Sequence, residues 1–281
     1  MISGIQIQHE KALTVASPLC QKVGAIDMKK YNKDFYESRR EGSRRSAEEI
    51  VPIIMEMVRP ESVIDVGCGV GTWLSVFRDM GIEDILGIDG EWVDIEMLQI
   101  PQERFLSFDL KRPLIINRSF DLAVSLEVAE HLPEESAEPF VDSLVKLAPV
   151  VLFSAAIPLQ VGKGHLNEQW PDYWADHFER GGYLVVDAIR KKIWQNDDVD
   201  YWYAQNILIF IKEDHLDNYP LIKKELENTG KFQLSVVHPK MYMLNSAPIK
   251  MILSIPALNK IFLNLVTNNT LRNLIRSRFL K

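Results

Sequence analysis

The chain has 281 residues, 47% of them hydrophobic and 25% charged, with 14 glycines and 14 prolines. That composition excludes collagenous, low-complexity and disulfide-rich classes and suffices for one large α/β domain or two small ones. Two cysteines, Cys20 and Cys68, without the paired spacing of a zinc site, point to a reducing cytoplasm. A net charge of -7 counts against an extensive nucleic-acid footprint, and no signal-peptide pattern or membrane-length apolar run is found.

In chain order, residues 1–34 lack sustained periodicity and are read as an N-terminal arm. Ser46-Ala-Glu-Glu49 reads as a capping box opening a helix whose face is Ile50, Ile53, Ile54, Met57 and Val58, stopping at Pro60. Short apolar strands then alternate with amphipathic helices: strands over 62–66, 85–88, 105–108, 122–126 and 150–155, and helices over 72–80, 133–147 and 172–180, with Pro133 at a first helical position. Such alternation predicts a doubly wound, mostly parallel sheet covered on both faces. Two further strands, 183–186 and 207–211, have no convincing helix between them and read as an antiparallel pair at the end of the sheet. Residues 35–215 are thus one α/β domain, and 216–281 a helical appendage. Its tail sets Arg272, Arg276, Arg278 and Lys281 beside Leu271, Leu274, Ile275, Phe279 and Leu280, a pattern that allows weak contact with a membrane surface or packing on the domain or a second subunit.

The stretch Val63-Ile-Asp65-Val-Gly67-Cys-Gly69-Val-Gly71-Thr-Trp73 is a strand running through a glycine turn into a helix, where backbone amides and the helix dipole favour an anionic group. Asp89 follows Asp65 by 24 residues at the end of the next strand, where a carboxylate can accept from both ribose hydroxyls. Asp109, after the third strand, can meet an adenine amino group. The glycine spacing departs from the Gly-x-Gly-x-x-Gly of dinucleotide folds, which disfavours an NAD-dependent dehydrogenase, and resembles motif I of class I S-adenosylmethionine (SAM)-dependent methyltransferases. The resemblance covers about residues 35–212. It implies a seven-stranded Rossmann-like sheet and a SAM site built from Asp65, Gly67, Cys68, Gly69, Gly71, Thr72, Trp73, Asp89, Gly90, Trp92, Phe108, Asp109, Leu110, Leu126 and Glu127, with Trp92 or Leu110 on the adenine.

After the fourth strand, Glu127, Glu130 and His131 fall at i, i+3 and i+4, so one helical turn would converge them on a point. This Glu-x-x-Glu-His pattern resembles ubiquinone-pathway O-methyltransferases and small-RNA 2′-O-methyltransferases, which use these residues with a divalent metal. The resemblance implies a metal set of Glu127, Glu130 and His131 with a downstream histidine, His165 being the nearest match and His177 the other candidate. Mg, Mn, Fe and Zn all suit such ligands, with Mg or Mn as the working choice. Three readings stay open: a metal site, a metal-free acceptor pocket with His131 or His165 as base and Glu127 assisting, and a structural hydrogen-bond cluster. The loop 159–174, with His165, Asn167, Glu168, Trp170 and Trp174, suits a sugar ring or forms a lid packed on the cofactor; Trp202, Tyr203, Gln205 and Asn206 can line the same mouth. The segment 125–210 resembles bacterial methyltransferases of surface-glycan or specialised-metabolite pathways. The expectation is a cytoplasmic enzyme that O-methylates a hydroxyl of a sugar or sugar-containing small molecule. The alternatives are RNA 2′-O-methylation and a catalytically silent SAM-binding partner protein.

Overall fold

The computed structural model describes residues 33–230 and 233–255; the expectations on the N-terminal arm through residue 32 and on the tail helices from residue 256 lie outside them. Helix α1 spans Lys33–Val58, and Ile50, Ile54, Met57 and Val58 are buried as their spacing predicts. Its start is earlier than expected. Ser46, read as the cap, lies inside the helix: its hydroxyl donates to the Gly42 carbonyl at 2.8 Å and accepts from the Asp200 amide at 3.0 Å. A Ser-x-x-Glu pattern marks a cap only where the preceding residues leave the helix, and residues 33–45 hold no proline or β-branched residue that would force them out.

The strands are β1 (Ser62–Val66), β2 (Asp84–Asp89), β3 (Phe105–Ser107), β4 (Leu122–Leu126), β5 (Val150–Ser154), β6 (Tyr183–Val186) and β7 (Leu208–Lys212), interleaved with α2 (Thr72–Asp79), α3 (Ala137–Leu147) and α4 (Pro171–Arg180). They form one seven-stranded sheet in the order β3-β2-β1-β4-β5-β7-β6. The β1, β2, β3, β4 and β5 pairings are parallel, whereas β7 runs antiparallel to both β5 and β6. The expected antiparallel pair is therefore present, and the seven mostly parallel strands are those the resemblance implies.

Alternation along the strands sends side chains into two cores. Val63, Leu122, Val150 and Leu152 pack with Ile50 and Ile54 of α1 and Leu74 and Phe77 of α2. Ile64, Ala123, Val151 and Phe153 pack with Phe140 and Leu144 of α3 and Trp174 and Phe178 of α4. Within the second core Phe178 stacks on Phe210 with ring centroids 3.8 Å apart. Burial on both faces is why these strands read as continuous apolar runs rather than alternating ones.

Three local departures from the sequence reading stand out. Pro133 does not open α3: a 3-10 turn over Glu134–Ser136 intervenes and the α-helix starts at Ala137. The third strand stops at Ser107, one residue short of the sequence reading. Between β6 and β7, where the sequence shows no convincing helix, stand two short ones, α5 (Arg190–Ile193) and α6 (Tyr201–Asn206). Buried Arg190 fixes the end of α6 by donating to the carbonyls of Gln205 at 3.1 Å and Leu234 at 2.6 Å while pairing with Asp187 at 2.8 Å.

By contacts the chain divides into two compact units, Met1–Val236 and Val237–Lys281. Helix α7 (Pro220–Glu227), whose Ile222 is wholly buried, belongs to the first unit, and α8 (Pro239–Leu253) to the second. Among the described residues no helix is long and apolar enough to cross a membrane.

Candidate functional site

The carboxyl ends of β1, β2, β4 and β5 lie side by side, the edge at which open α/β sheets bind ligands. At β1 the chain enters the glycine turn with Gly67 at φ 91°. A Cβ on Gly67 would sit 2.3 Å from Val128, so glycine is required there both by conformation and by the approach of the segment after β4. Helix α2 starts directly behind, and its N-cap, Gly71, provides no side-chain cap. The amides of its first turn are thus presented to a ligand, as an anionic group requires.

Asp89, at the end of β2, accepts from the Gly69 amide at 2.7 Å and the Gly90 amide at 2.6 Å. Burial raises its pKa, while these two amides and the Trp92 side chain pull it back down. Asp65 beneath the turn is held well above the usual carboxylate range by burial, with repulsion from Asp89 adding to it. The indole of Trp92 covers Gly90, where a Cβ would fall 2.2 Å from the ring. A glycine turn, an uncapped helix start, a carboxylate at the next strand end and an indole beside it fit an adenosine ligand with a charged amino-acid portion.

The other expected contact residues differ in burial and partners. Cys68 is a buried thiol packed under Gly87, and Trp73 is buried edge-to-face against Tyr203 at 5.2 Å. Thr72 takes a hydrogen bond from Gln99 at 2.7 Å. Leu110 is in the second core with Phe108 packed against it, Leu126 is buried, and Asp109 is exposed, its carboxylate accepting from the Lys111 amide at 3.1 Å.

After β4 the expected helical turn does not form. Glu127 is left-handed, at φ 56°, and only Ala129–His131 make a 3-10 turn. The i, i+3, i+4 geometry therefore fails at its first member. Glu130, His131 and His165 converge, with one ligand atom from each lying within 4.8 Å of the others, a set that could hold a metal ion. The carboxylate of Glu127 goes elsewhere, accepting from Gln160 Nε2 at 2.7 Å and Asn206 Nδ2 at 3.0 Å.

Glu130 is wholly buried, and neither carboxyl oxygen has a partner of hydrogen-bond geometry among the described residues. Burial drives its pKa well above the ordinary 4.5, with repulsion from Glu127 and Glu168 adding to the rise and its own amide and that of Ala156 opposing it. The Glu130 carbonyl accepts from the amides of Leu166 at 2.7 Å and Asn167 at 3.0 Å, which carries the loop after β5 back to the 3-10 turn. His165 thereby stands edge-to-face against His131, ring centroids 4.9 Å apart. Glu168 holds His165 Nδ1 at 2.7 Å. A proton on Nδ1 donated to that carboxylate leaves the lone pair on Nε2. His177, the other candidate, lies on α4 against Tyr173 at 4.7 Å and does not join the cluster.

The loop is a strained, fixed structure. Leu159 and Val161 are left-handed at φ 71° and 56°, each such residue costing about 1–3 kcal/mol. The Glu168 carboxylate holds them there, accepting from the Leu159 amide at 2.8 Å and the Val161 amide at 2.9 Å. Of the residues read as sugar contacts, Asn167 and Trp174 are buried and Glu168 is engaged with the backbone. Those presented outward are Trp170, 37% exposed, together with Leu159, Val161 and Leu166, at 60%, 77% and 64%. Trp202 is partly buried against the first core, Tyr203 is buried in it, and Gln205 and Asn206 are buried.

A family model described as a methyltransferase domain matches residues 36–200. No curated protein matches the chain by sequence. Among solved structures the chain is similar to the methyltransferase domain of a bacterial CtHen1, at 22% identity over 59% of this chain and 98% of that one, TM-score 0.42. It is similar also to DesVI of Streptomyces venezuelae, at 16% identity over 67% and 99%, TM-score 0.47. A third is magnesium protoporphyrin IX methyltransferase from Synechocystis PCC 6803 with bound SAM, at 18% identity over 68% and 100%, TM-score 0.46. With a methyltransferase family model covering more than half of its length and the sheet order described above, the chain belongs to the class I SAM-dependent methyltransferases.

Proposed function

We propose that the protein O-methylates a hydroxyl of a small-molecule acceptor, a sugar or sugar-containing intermediate, with a divalent cation, Mg²⁺ or Mn²⁺, held by Glu130, His131 and His165. The observation that carries this reading is the wholly buried Glu130 carboxylate, unpartnered among the described residues, facing two imidazoles. A buried carboxylate in that setting is costly unless a cation or proton compensates it. When bound, SAM supplies an electrophilic methyl group whose leaving group needs no proton, and a cation beside the acceptor lowers the pKa of its hydroxyl. The rest falls to the chain. Asp89 and the glycine turn orient the cofactor. Glu168 fixes the His165 tautomer, and Trp170, Leu159, Val161 and Leu166 offer the acceptor an apolar wall. Positioning of this kind is the main contribution open to an enzyme of in-line displacement. A second reading rests on the same hydrogen bond: Nε2 of His165, left with its lone pair by Glu168, can itself accept the hydroxyl proton without a cation.

The test is the nature of the bond formed. Product isolated after incubation with labelled SAM and separated hydroxylated fractions is expected to carry a methyl ether; methylation only at nitrogen or carbon would overturn the reading. A smaller prediction follows from Gly162. A Cβ there would fall 1.9 Å from His165 Nε2. Gly162→Ala is expected to push the ring out of the cluster and to weaken Mn²⁺ binding about 10–100-fold, the usual range for displacing a ligand's supporting contact. Calorimetric titration with Mn²⁺ checks it.

A further inference from the structure

The carboxylate that the Glu-x-x-Glu-His pattern places first, Glu127, sits in a closed ring with side-chain amides drawn from two other parts of the chain. Its Oε2 accepts from Gln160 Nε2 at 2.7 Å, and its Oε1 from Asn206 Nδ2 at 3.0 Å. The other end of the Gln160 amide accepts from Asn206 Nδ2 at 2.8 Å, Gln205 Nε2 at 3.1 Å and, at the long distance of 3.4 Å, the Ile157 amide. Gln205 also donates to Asn206 Oδ1 at 3.0 Å. The Glu127 amide donates to the carbonyl and hydroxyl of Ser154, at 3.0 and 3.1 Å, at the end of β5. Gln205 and Asn206 are buried at the end of α6, and Glu127 and Gln160 are half-buried.

Gln160 is the inward residue of the strained triplet. Leu159 and Val161 on either side are left-handed and exposed, and the Glu168 carboxylate accepts from both their amides. Residues 159–161 are therefore gripped twice, by Glu127 through the Gln160 side chain and by Glu168 through the Leu159 and Val161 amides, and His165 follows four residues after Val161. Glu127 is left-handed, at φ 56°, and its carboxylate meets Gln160 and Asn206.

We propose that Glu127 is a positioning residue: gripped by Gln160 and Asn206, its carboxylate locks the loop after β5 so that His165 stands against His131, and it neither ligates a cation nor takes a proton from the acceptor. This rests on the proposed function only in treating the loop as the acceptor wall and the Glu-His cluster as a cation site.

The ring supplies its own test, because the carboxylate and the amide can be exchanged atom for atom. In Glu127→Gln an NH₂ group meets one of the two NH₂ donors, and flipping Gln160 to relieve this turns its NH₂ against Asn206 and Gln205. In the double exchange Glu127→Gln with Gln160→Glu every bond returns: the new carboxylate accepts from Ile157, Gln205 and Asn206 on one oxygen and from residue 127 on the other, and the new amide oxygen accepts from Asn206. Two readouts are made on the full chain, the rate of tryptic cleavage after Lys163 under native conditions and the affinity for Mn²⁺ by calorimetry. Glu127→Gln is expected to speed cleavage about tenfold, as a loosened loop opens more often, and to weaken Mn²⁺ about tenfold. The double exchange is expected to return both to within about twofold of the parent. Restored cleavage without restored Mn²⁺ affinity would show Glu127 to be a direct ligand and overturn the proposal, as would a cleavage rate indifferent to Glu127→Gln. If the parent chain binds no Mn²⁺, the cation reading fails by itself, and the cleavage arm still decides whether Glu127 positions the loop.

Discussion

Glu130→Gln is expected to abolish divalent-cation binding, weakening Mn²⁺ affinity by at least about 100-fold, and to stabilise the cation-free protein at neutral pH. Both effects come from one fact: a wholly buried carboxylate, with no partner of full hydrogen-bond geometry among the described residues, is costly unless a cation or a proton compensates it. The sign of the pH dependence is fixed by the direction of the shift. The pKa in the folded chain is raised above the ordinary 4.5, so between that value and the folded pKa the native state binds more protons than the unfolded one. Stability then falls as pH rises through the window. In chelator the variant should therefore gain on the parent progressively above about pH 4.5, the unfolded value. The gain should reach about 1–3 kcal/mol near neutrality, the usual cost of a buried unsatisfied polar group. At about 2–4 °C per kcal/mol for a domain of this size, the difference is measurable by thermal melts in chelator across pH. A variant no more stable than the parent at neutral pH, or a gain that grows toward acid, would show that Glu130 is not a strained carboxylate.

The second large effect is expected at the cofactor. Asp89 stands at the end of β2 with its two oxygens against the Gly69 and Gly90 amides, and a ribose bridging to it would add two hydrogen bonds to a charged acceptor, about 1.5–3 kcal/mol each. Asp89→Ala is accordingly expected to weaken S-adenosylhomocysteine binding by about 100-fold or more. Asp89→Asn, which keeps one acceptor, should lose about tenfold. Calorimetric titration of both variants measures this. Affinities within threefold of the parent would remove Asp89 from the site.

The parts of the fold legible in the sequence are those whose signal is local. Asp65 and the three following glycines mark a strand, a turn and a helix in one stretch, and apolar runs such as 122–126 and 150–154 need only be short, continuous and punctuated to be read as buried strands. What the sequence concealed has physical reasons. Helices α5 and α6, of four and six residues, are too short to show a helical period. Ser46 has the chemistry of a cap but spends its hydroxyl on the helix behind it. The trio of Glu127, Glu130 and His131 assumed right-handed backbone, and nothing in the type of a glutamate announces the left-handed conformation that Glu127 adopts. His165 could be named from the sequence, but its meeting with His131 depends on two amides, of Leu166 and Asn167, reaching the Glu130 carbonyl. Gln160 carries no motif. Only the fold shows that it joins Glu127 to Asn206.

The same residues explain why Glu127 and Glu168, acids of one small region, carry different duties from Glu130. Each of the first two accepts hydrogen bonds from amides and shapes the loop. Glu130 gives its carbonyl to the loop and keeps its carboxylate for the cluster. On the proposed function, this division would put the chemistry beside the glycine turn and make the loop after β5 the element that adapts the site to an acceptor.

The measurement that bears most directly on this account is transfer of labelled methyl groups from SAM to separated small-molecule, glycan and RNA fractions, run with Mg²⁺ or Mn²⁺ and with a chelator, for the parent chain and for Glu130→Gln. Label is expected in a hydroxylated small-molecule or glycan fraction, lost in chelator and lost in the variant. Label that persists at the parent rate under both conditions would contradict it.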